Sequence, residues 1–236
     1  KFEAIISASP DGIGMAGIDG KIQLMSEKLA TMHGFSSDKI DEYIGKSIFE
    51  FIDASNHELL SKNLQNLIQG NKNNKISEYL ALKKDGTKFY SDVNSTVLYD
   101  KNGHPSSILF VERDITERKL AEENLQNERT LFRTIIDLIP DAVYVKDIEG
   151  KKILANPKEV ELLGMNSESD IIGITDYNLL PDFEAKFSQS QDMKVIATGE
   201  ALMNIESTLT DKKGKQHWLL GSKVPLKDIH GNITGI

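Results

Sequence analysis

Cysteine is absent from the 236 residues. That excludes disulfides, thiolate zinc sites, iron–sulfur clusters, cysteine nucleophiles and any cofactor tethered through sulfur. Long apolar runs are missing too: no stretch approaches the roughly 18 apolar residues of a bilayer crossing, so this segment is expected to make no membrane contact. Positive charge is the minority sign, with 28 Lys and Arg against 36 Asp and Glu. Residues 1–117 carry 13 basic and 17 acidic side chains, leaving 15 and 19 for residues 118–236, so each half has net charge −4. Neither half offers the basic face that nucleic acid requires.

The apolar fraction of 39% and charged fraction of 27% are those of globular proteins, and the length predicts two domains. The chain opens at Lys1-Phe2-Glu3 without a methionine and stops at Gly235-Ile236 inside an apolar run, which reads as a segment of a longer protein.

Self-comparison is the most informative observation. Phe2-Glu3-Ala4-Ile5-Ile6 followed by Pro10-Asp11 recurs 130 residues later as Phe132-Arg133-Thr134-Ile135-Ile136 followed by Pro140-Asp141. Ile18-Asp19-Gly20-Lys21 falls on Ile148-Glu149-Gly150-Lys151, and Gly34 on Gly164. After a two-residue slip Gly45 matches Gly173, Gly86 matches Gly214, and Asp100-Lys101-Asn102-Gly103 matches Asp228-Ile229-His230-Gly231. Two copies of one domain fill the chain.

Within each copy the pattern is α+β. A short apolar run (Ile13 to Ile18; Ala142 to Val145) meets an acidic-Gly turn and a second run, Ile22 to Met25 or Ile153 to Ala155, which predicts a hairpin. Ser55 stands where it would cap a helix whose Leu59, Leu60, Asn63, Leu64, Leu67 and Ile68 recur at helical spacing up to Gly70. Its counterpart runs from about Phe183 to Gly199. Strands around Lys84-Asp85-Gly86 and Lys213-Gly214 follow, with a last strand at Ile108 to Val111 in copy one. The order predicts, in each copy, a five-stranded antiparallel sheet with helices on one face.

This order resembles the PAS family of sensory domains, over nearly the whole chain and twice. The most specific part is Val111-Glu112-Arg113-Asp114-Ile115-Thr116-Glu117-Arg118-Lys119, similar to the family's closing strand and Asp-Ile-Thr junction. Ile139 to Asp147 and Trp218 to Leu226 resemble PAS repeats of bacterial and archaeal sensor kinases. Copy two departs at its end, because Ile236 aligns with Ile108 and no second junction follows. The resemblance divides the chain into domain 1 (1–116), a helical connector (117–138) and domain 2 (139–236).

At the junction, Asp114 and Thr116 are placed to accept the unpaired amides of a helix's first turn, and Arg113 to pair with Asp114 or another acidic group. The three are expected to relay a signal, beside the simpler reading of a plain helix cap. From Glu117 to about Leu138 there is no Gly or Pro, and Ala121, Leu125, Glu128, Phe132, Ile135 and Ile139 recur at alternating spacings of four and three. These predict a continuous helix of about 30 Å whose seam, weakest at Glu128, packs on its own domain or on the same helix of a second chain in a parallel dimer.

Most candidate chemistry fails. Gly12-Ile13-Gly14-Met15-Ala16-Gly17 fits the dinucleotide fingerprint, but the aligned residues Ala142, Tyr144 and Asp147 hold no glycine. Gly45-Lys46-Ser47 lacks the leading glycine of a P-loop. No two of His33, His57, His104, His217 and His230 stand at helical ligand spacing, and no catalytic arrangement or metal site is expected. Some PAS relatives bind haem through a histidine on the long helix; His57 is near that helix but in its first turn, so haem is disfavoured. Zero cysteine excludes the family's covalent photochemistry, and flavin is likewise disfavoured. No cofactor is expected, while an unidentified small molecule stays open.

The resemblance points instead to a cavity between helix and sheet, where Leu60, Leu64 and Leu67 would face Phe89, Ser91, Val93 and Ser95 of one strand parity. In copy two the candidate pocket residues are the apolar Trp218 and Leu220, which fall on the other parity, so one of the two inner-face assignments is wrong or a bulge intervenes. A solid core stands as the alternative to an occupied pocket. The expected function is the sensory and dimerisation segment of a cytoplasmic sensor histidine kinase, with its output domain elsewhere in the same chain. The alternatives are a cyclic-dinucleotide enzyme, a transcription regulator, or a spacer that binds nothing.

Overall fold

The computed structural model describes residues 6, 8–70 and 76–236; Phe2 to Ile5 of the repeated pattern lie outside them. The chain divides into two units, Lys1–Gln126 and Asn127–Ile236, a boundary that falls inside the long helix rather than at its ends.

In the first unit, β1 (Gly12–Gly17) and β2 (Ile22–Met25) form a hairpin, α1 (Glu27–Met32) and short 3-10 turns follow, and α2 spans His57–Ile68. Three strands complete the sheet: β3 (Ser77–Leu82), β4 (Lys88–Tyr99) and β5 (Pro105–Asp114). The order is β2-β1-β5-β4-β3, antiparallel throughout. The last strand therefore sits at the centre, with Gly12–Gly17 on one side and Ser91–Tyr99 on the other. Ser26 starts α1 by accepting from the amides of Ile13 and Leu29, which also closes the hairpin. Ser55 does not cap α2: Asn56 holds that place, and its side chain accepts from Leu80 N–H, while Ser55 donates to Asp53. Ile22, Met25, Leu29, Phe51, Ile52, Leu60, Tyr79 and Phe89 are buried beneath the helices.

A helix, α3, spans Thr116–Leu138 without interruption. The second unit then repeats the order: β6 (Tyr144–Lys146), β7 (Lys152–Ala155), α4 (Pro157–Leu162), α5 (Asp182–Thr198), β8 (Leu202–Thr210), β9 (Gln216–Lys223), β10 (Leu226–Lys227) and β11 (Ile233–Gly235). Adding 128 to the bounds of β4 gives Gln216 and Lys227, so β9 and β10 are one strand of the first unit in two pieces. The break falls at Val224-Pro225, where proline has no N–H for the ladder. The strands here form three antiparallel pairs, β6–β7, β8–β9 and β10–β11, instead of one five-stranded sheet. Register is kept: Lys146 and Ile236 exchange both backbone hydrogen bonds, at the positions of Ala16 and Ile108, which are paired in the first unit.

Strand parity is also shared. Phe89 and Ser91 are buried on the helix-facing side of β4, and their counterparts His217 and Leu219 face the core of the second unit. Trp218 is 81% exposed and Leu220 68%. Their assignment to the inner face is thus corrected. No bulge separates the two copies here, because the Ser207–Leu219 and Tyr79–Ser91 pairings keep one offset; the apolar residues lie on the outer surface of the sheet.

Candidate functional site

In the first unit, Ala16, Ile22, Leu29, Ile48, Leu60, Leu64, Val93, Ser95, Ile108 and Phe110 surround a cavity of about 60 Å³ between α2 and the sheet. Tyr79 also lines it, and His33 from the end of α1 and Glu112 from β5 complete the wall. His33 Nε2 lies 3.2 Å from Glu112 Oε2, and Nδ1 lies 2.7 Å from the carbonyl oxygen of Leu82. Burial opposes a charge on the imidazole, yet the Glu112 carboxylate and the Leu82 carbonyl outweigh it and hold the His33 pKa above its ordinary value. Glu112 Oε1 is buried with no hydrogen-bond partner among the described residues. Gly14 makes room beside the cavity, since a Cβ there would meet the Phe110 ring at 2.3 Å.

Of the residues proposed from sequence, Leu60, Leu64, Val93 and Ser95 line this cavity. Phe89 and Ser91 lie buried on the same sheet face outside it, and Leu67 is half-buried farther along α2. His57 is the first residue of α2, and its Nε2 lies 3.0 Å from the carbonyls of Phe49 and Ile52.

The second unit builds the same place from opposite chemistry. The repeat offsets carry Ala16, Ile22, Leu29, Ile48, Leu64 and Ser95 onto Lys146, Lys152, Glu159, Asp176, Asp192 and Lys223. Lys146 Nζ, on a side chain 1% exposed, donates to Asp176, to Asp192 at 2.8 Å and to Ser188 at 3.3 Å. Lys223 pairs with the other oxygen of Asp192 and with Ser188. Lys152 pairs with buried Glu159, its ammonium 3.9 Å from the Tyr144 ring centre. Burial and the cluster's carboxylates push the Tyr144 hydroxyl well above its usual range. Three cations and three anions neutralise each other inside the fold. The cavity beside them runs along the open edge of β9 and so borders Trp218 and Leu220, whose side chains nonetheless lie on the solvent face.

The helix α3 is fastened at both ends. Asp114 accepts the Thr116 N–H at 2.9 Å, and Thr116 Oγ1 accepts the Tyr90 N–H at 3.0 Å. Arg113 forms a two-pronged pair with Asp11 at 2.8 and 2.7 Å, not with Asp114, and so joins the start of β1 to the end of β5. Arg118 and Lys119 reach Glu78 on β3. At the other end Asn156, fully buried, donates to the carbonyls of Ile136, Ile139 and Asp141 and accepts from Val143 and Glu159. It thereby satisfies orphan carbonyls of α3 and amides of α4 together. Arg133 adds bonds to Asp137, Glu168 and the Ala155 carbonyl. Between these anchors Ala121, Leu125, Glu128 and Phe132 are exposed, as is Ile135 beyond Arg133, while Ile139 is half-buried.

His33, Glu112, Asn156 and the charged core were not singled out from sequence. The repeat carried a signal for the last, because lysine, glutamate and aspartate stand where copy one has alanine, isoleucine and leucine. Among the described residues, no group of three or more His, Asp or Glu is placed to hold a metal ion, and no helix is long and apolar enough to cross a membrane.

Comparison with known proteins agrees with the architecture. Residues 10–117 match the family profile described as PAS domain, and residues 136–236 the one described as PAS fold. Sporulation kinase A of Bacillus subtilis is 25% identical over 218 residues, covering 92% of this chain and 33% of that protein. The methanogenesis regulatory histidine kinase FilI of Methanothrix harundinacea is 30% identical over 105 residues, 44% of this chain and 12% of the kinase. The virulence sensor protein BvgS of Bordetella pertussis is 25% identical over 133 residues, 56% of this chain and 11% of the sensor. This chain therefore spans a third or less of these relatives. Among solved structures, a PAS domain from Colwellia psychrerythraea is 21% identical, covering 48% of this chain and 93% of that one, with a TM-score of 0.42. The two matched segments, with the long helix between them, show that this chain belongs to the PAS family and carries two PAS domains in tandem.

Proposed function

We propose that the two domains are the sensory and dimerisation segment of a cytoplasmic sensor histidine kinase, and that a change in one domain is passed along α3 to the other and to an output domain in the same protein. The observation that carries this reading is the anchoring of α3: Asp114, Thr116 and Arg113 tie its start to β1, β4 and β5, and Asn156 ties its last turn to the second domain. A helix held at both ends transmits rotation and axial shift, which a Gly/Ser linker does not. Catalysis is assigned to the output domain, as the kinase relatives support.

The exposed seam supports a parallel homodimer. Leu125 is 50% exposed, Phe132 55% and Ile135 53%; covering the exposed half of each contributes about 0.8–1.5 kcal/mol. Inserting four residues after Asn124 turns the two ends of the helix by about 40° relative to each other. The full-length kinase should then lose its normal response or lock in one state; unchanged phosphorylation would refute transmission along α3.

A further inference from the structure

The first domain holds an apolar cavity with one unanswered acceptor. Its wall is hydrocarbon from Ala16, Ile22, Leu29, Leu60, Leu64 and Phe110. Into this wall the fold inserts Glu112, whose side chain is 5% exposed. One carboxylate oxygen is bound by His33, while the other has no partner among the described residues. A buried charged acceptor without a donor costs far more than a paired one. Water can supply the missing donor, but the walls are chiefly hydrocarbon, with Ser95, Tyr79 and His33 the other polar side chains on them, and they suit a molecule that brings an apolar body with its donor.

We infer that this cavity binds a compact, uncharged ligand with a hydrocarbon body and one hydroxyl or N–H group, which donates to Glu112 Oε1. His33 Nε2 already lies 3.2 Å from Glu112 Oε2, so a cationic ligand would bring a second positive partner to one carboxylate in a dry site, whereas a neutral donor completes its hydrogen bonding. At about 60 Å³ the space exceeds the 10–15 Å³ that one water requires, which allows a ligand of a few heavy atoms. Selectivity between the domains follows from the repeat. The positions of Ala16, Ile22, Leu29 and Leu64 hold Lys146, Lys152, Glu159 and Asp192 in the second domain. Their charges are answered by each other, and that site rejects an apolar body.

This inference names the ligand class within the sensory reading above. Its failure is separable from that reading, because a failed titration leaves the helix-insertion result standing, and the reverse holds as well. The test uses two isomers of one composition, 1-butanol with a hydroxyl donor and diethyl ether with none, titrated into the isotopically labelled 236-residue chain by NMR. Amides of Val93, Ser95 and Glu112 should shift, those of Lys146 and Asp176 should not, and 1-butanol should bind at least about tenfold more tightly than the ether, as expected for a hydrogen bond to a charged acceptor. Glu112→Met should abolish that preference while keeping the ether's affinity. Leu64→Trp, which fills the cavity, should abolish binding of both. Equal affinities in the unaltered chain, shifts outside the cavity, or no binding by either isomer at roughly 100 mM would each overturn the assignment, even if Glu112→Met does not fold.

Discussion

Lys146→Met removes the centre of the buried network in the second domain and leaves the surrounding shape nearly unchanged. Lys146 is 1% exposed and holds Asp176 and Asp192, whose side chains are each 8% exposed. Asp192 keeps Lys223, so the stranded charge is chiefly that of Asp176. Breaking a buried pair by deleting one partner costs about 3–5 kcal/mol. With a urea slope of about 2 kcal/mol per molar for a domain of this size, the midpoint should fall by roughly 1.5–2.5 M. Amide NMR signals of Ala155, Leu163 and Ile171, buried in the second domain, report that transition. The decisive partner variant installs the first domain's residues together: Lys146→Ala, Asp176→Ile, Asp192→Leu and Lys223→Ser. Lys152 and Glu159 keep each other, and replacing the other buried ion pairs together by chiefly apolar groups is often neutral or stabilising by about 1–4 kcal/mol, so this variant should regain the loss. Burial raises the Asp176 pKa, but Lys146 and Lys152 outweigh it and hold it below its usual value. A depressed carboxylate adds stability above its unfolded value of 3.8 and loses it as pH falls through the folded value. The acid limb should therefore be steep in the parent and flatter in the fourfold variant. A loss under about 1 kcal/mol for Lys146→Met would refute the network as described.

Three further outcomes test other parts of the structure. The His33 pKa is raised by Glu112 despite burial and the opposing charge of Lys83, so its contribution to the first domain is complete below 6.5 and is lost as pH rises through the folded value. Urea midpoints followed by circular dichroism should fall over that range, and His33→Asn should flatten the decline; a pH-independent midpoint would contradict the ion pair. Gly14→Ala should destabilise the first domain by about 1–3 kcal/mol, since its Cβ would meet Phe110 at 2.3 Å and Leu29 at 2.8 Å; a gain in stability, the usual result of removing a strand glycine, would refute the close packing. Under the proposed parallel pairing of α3 the parent chain should sediment as a dimer and Phe132→Glu as a monomer, with each domain's stability within about 0.5 kcal/mol; a monomeric parent would refute the pairing, and a dimeric variant would place the interface elsewhere.

Periodicity and repetition made much of this protein readable in advance. The offset between copies reveals a duplication whether or not the fold is known, and the spacing of Ala121, Leu125, Phe132 and Ile135 with no Gly or Pro makes one unbroken helix, as observed for Thr116–Leu138. These properties are local: they depend on neighbours within a few residues or on comparing the chain with itself. The helix cap and cavity floor were partly legible for the same reason, since Asp114, Thr116, Leu60 and Leu64 stand at positions set by element boundaries and helical spacing. Asn56 displaced Ser55 at the start of α2 because its side chain answers Leu80 N–H, 24 residues away. Trp218 and Leu220 looked inward because they are apolar, yet pairing through β8 sets the parity of β9 and puts them in solvent. The partner of His33 lies 79 residues away on the central strand, and Lys146 finds Asp176 and Asp192 on two other elements. Which charges are buried is decided by sheet order and helix docking, because only contacts between distant segments can pair a charge that burial would otherwise expel.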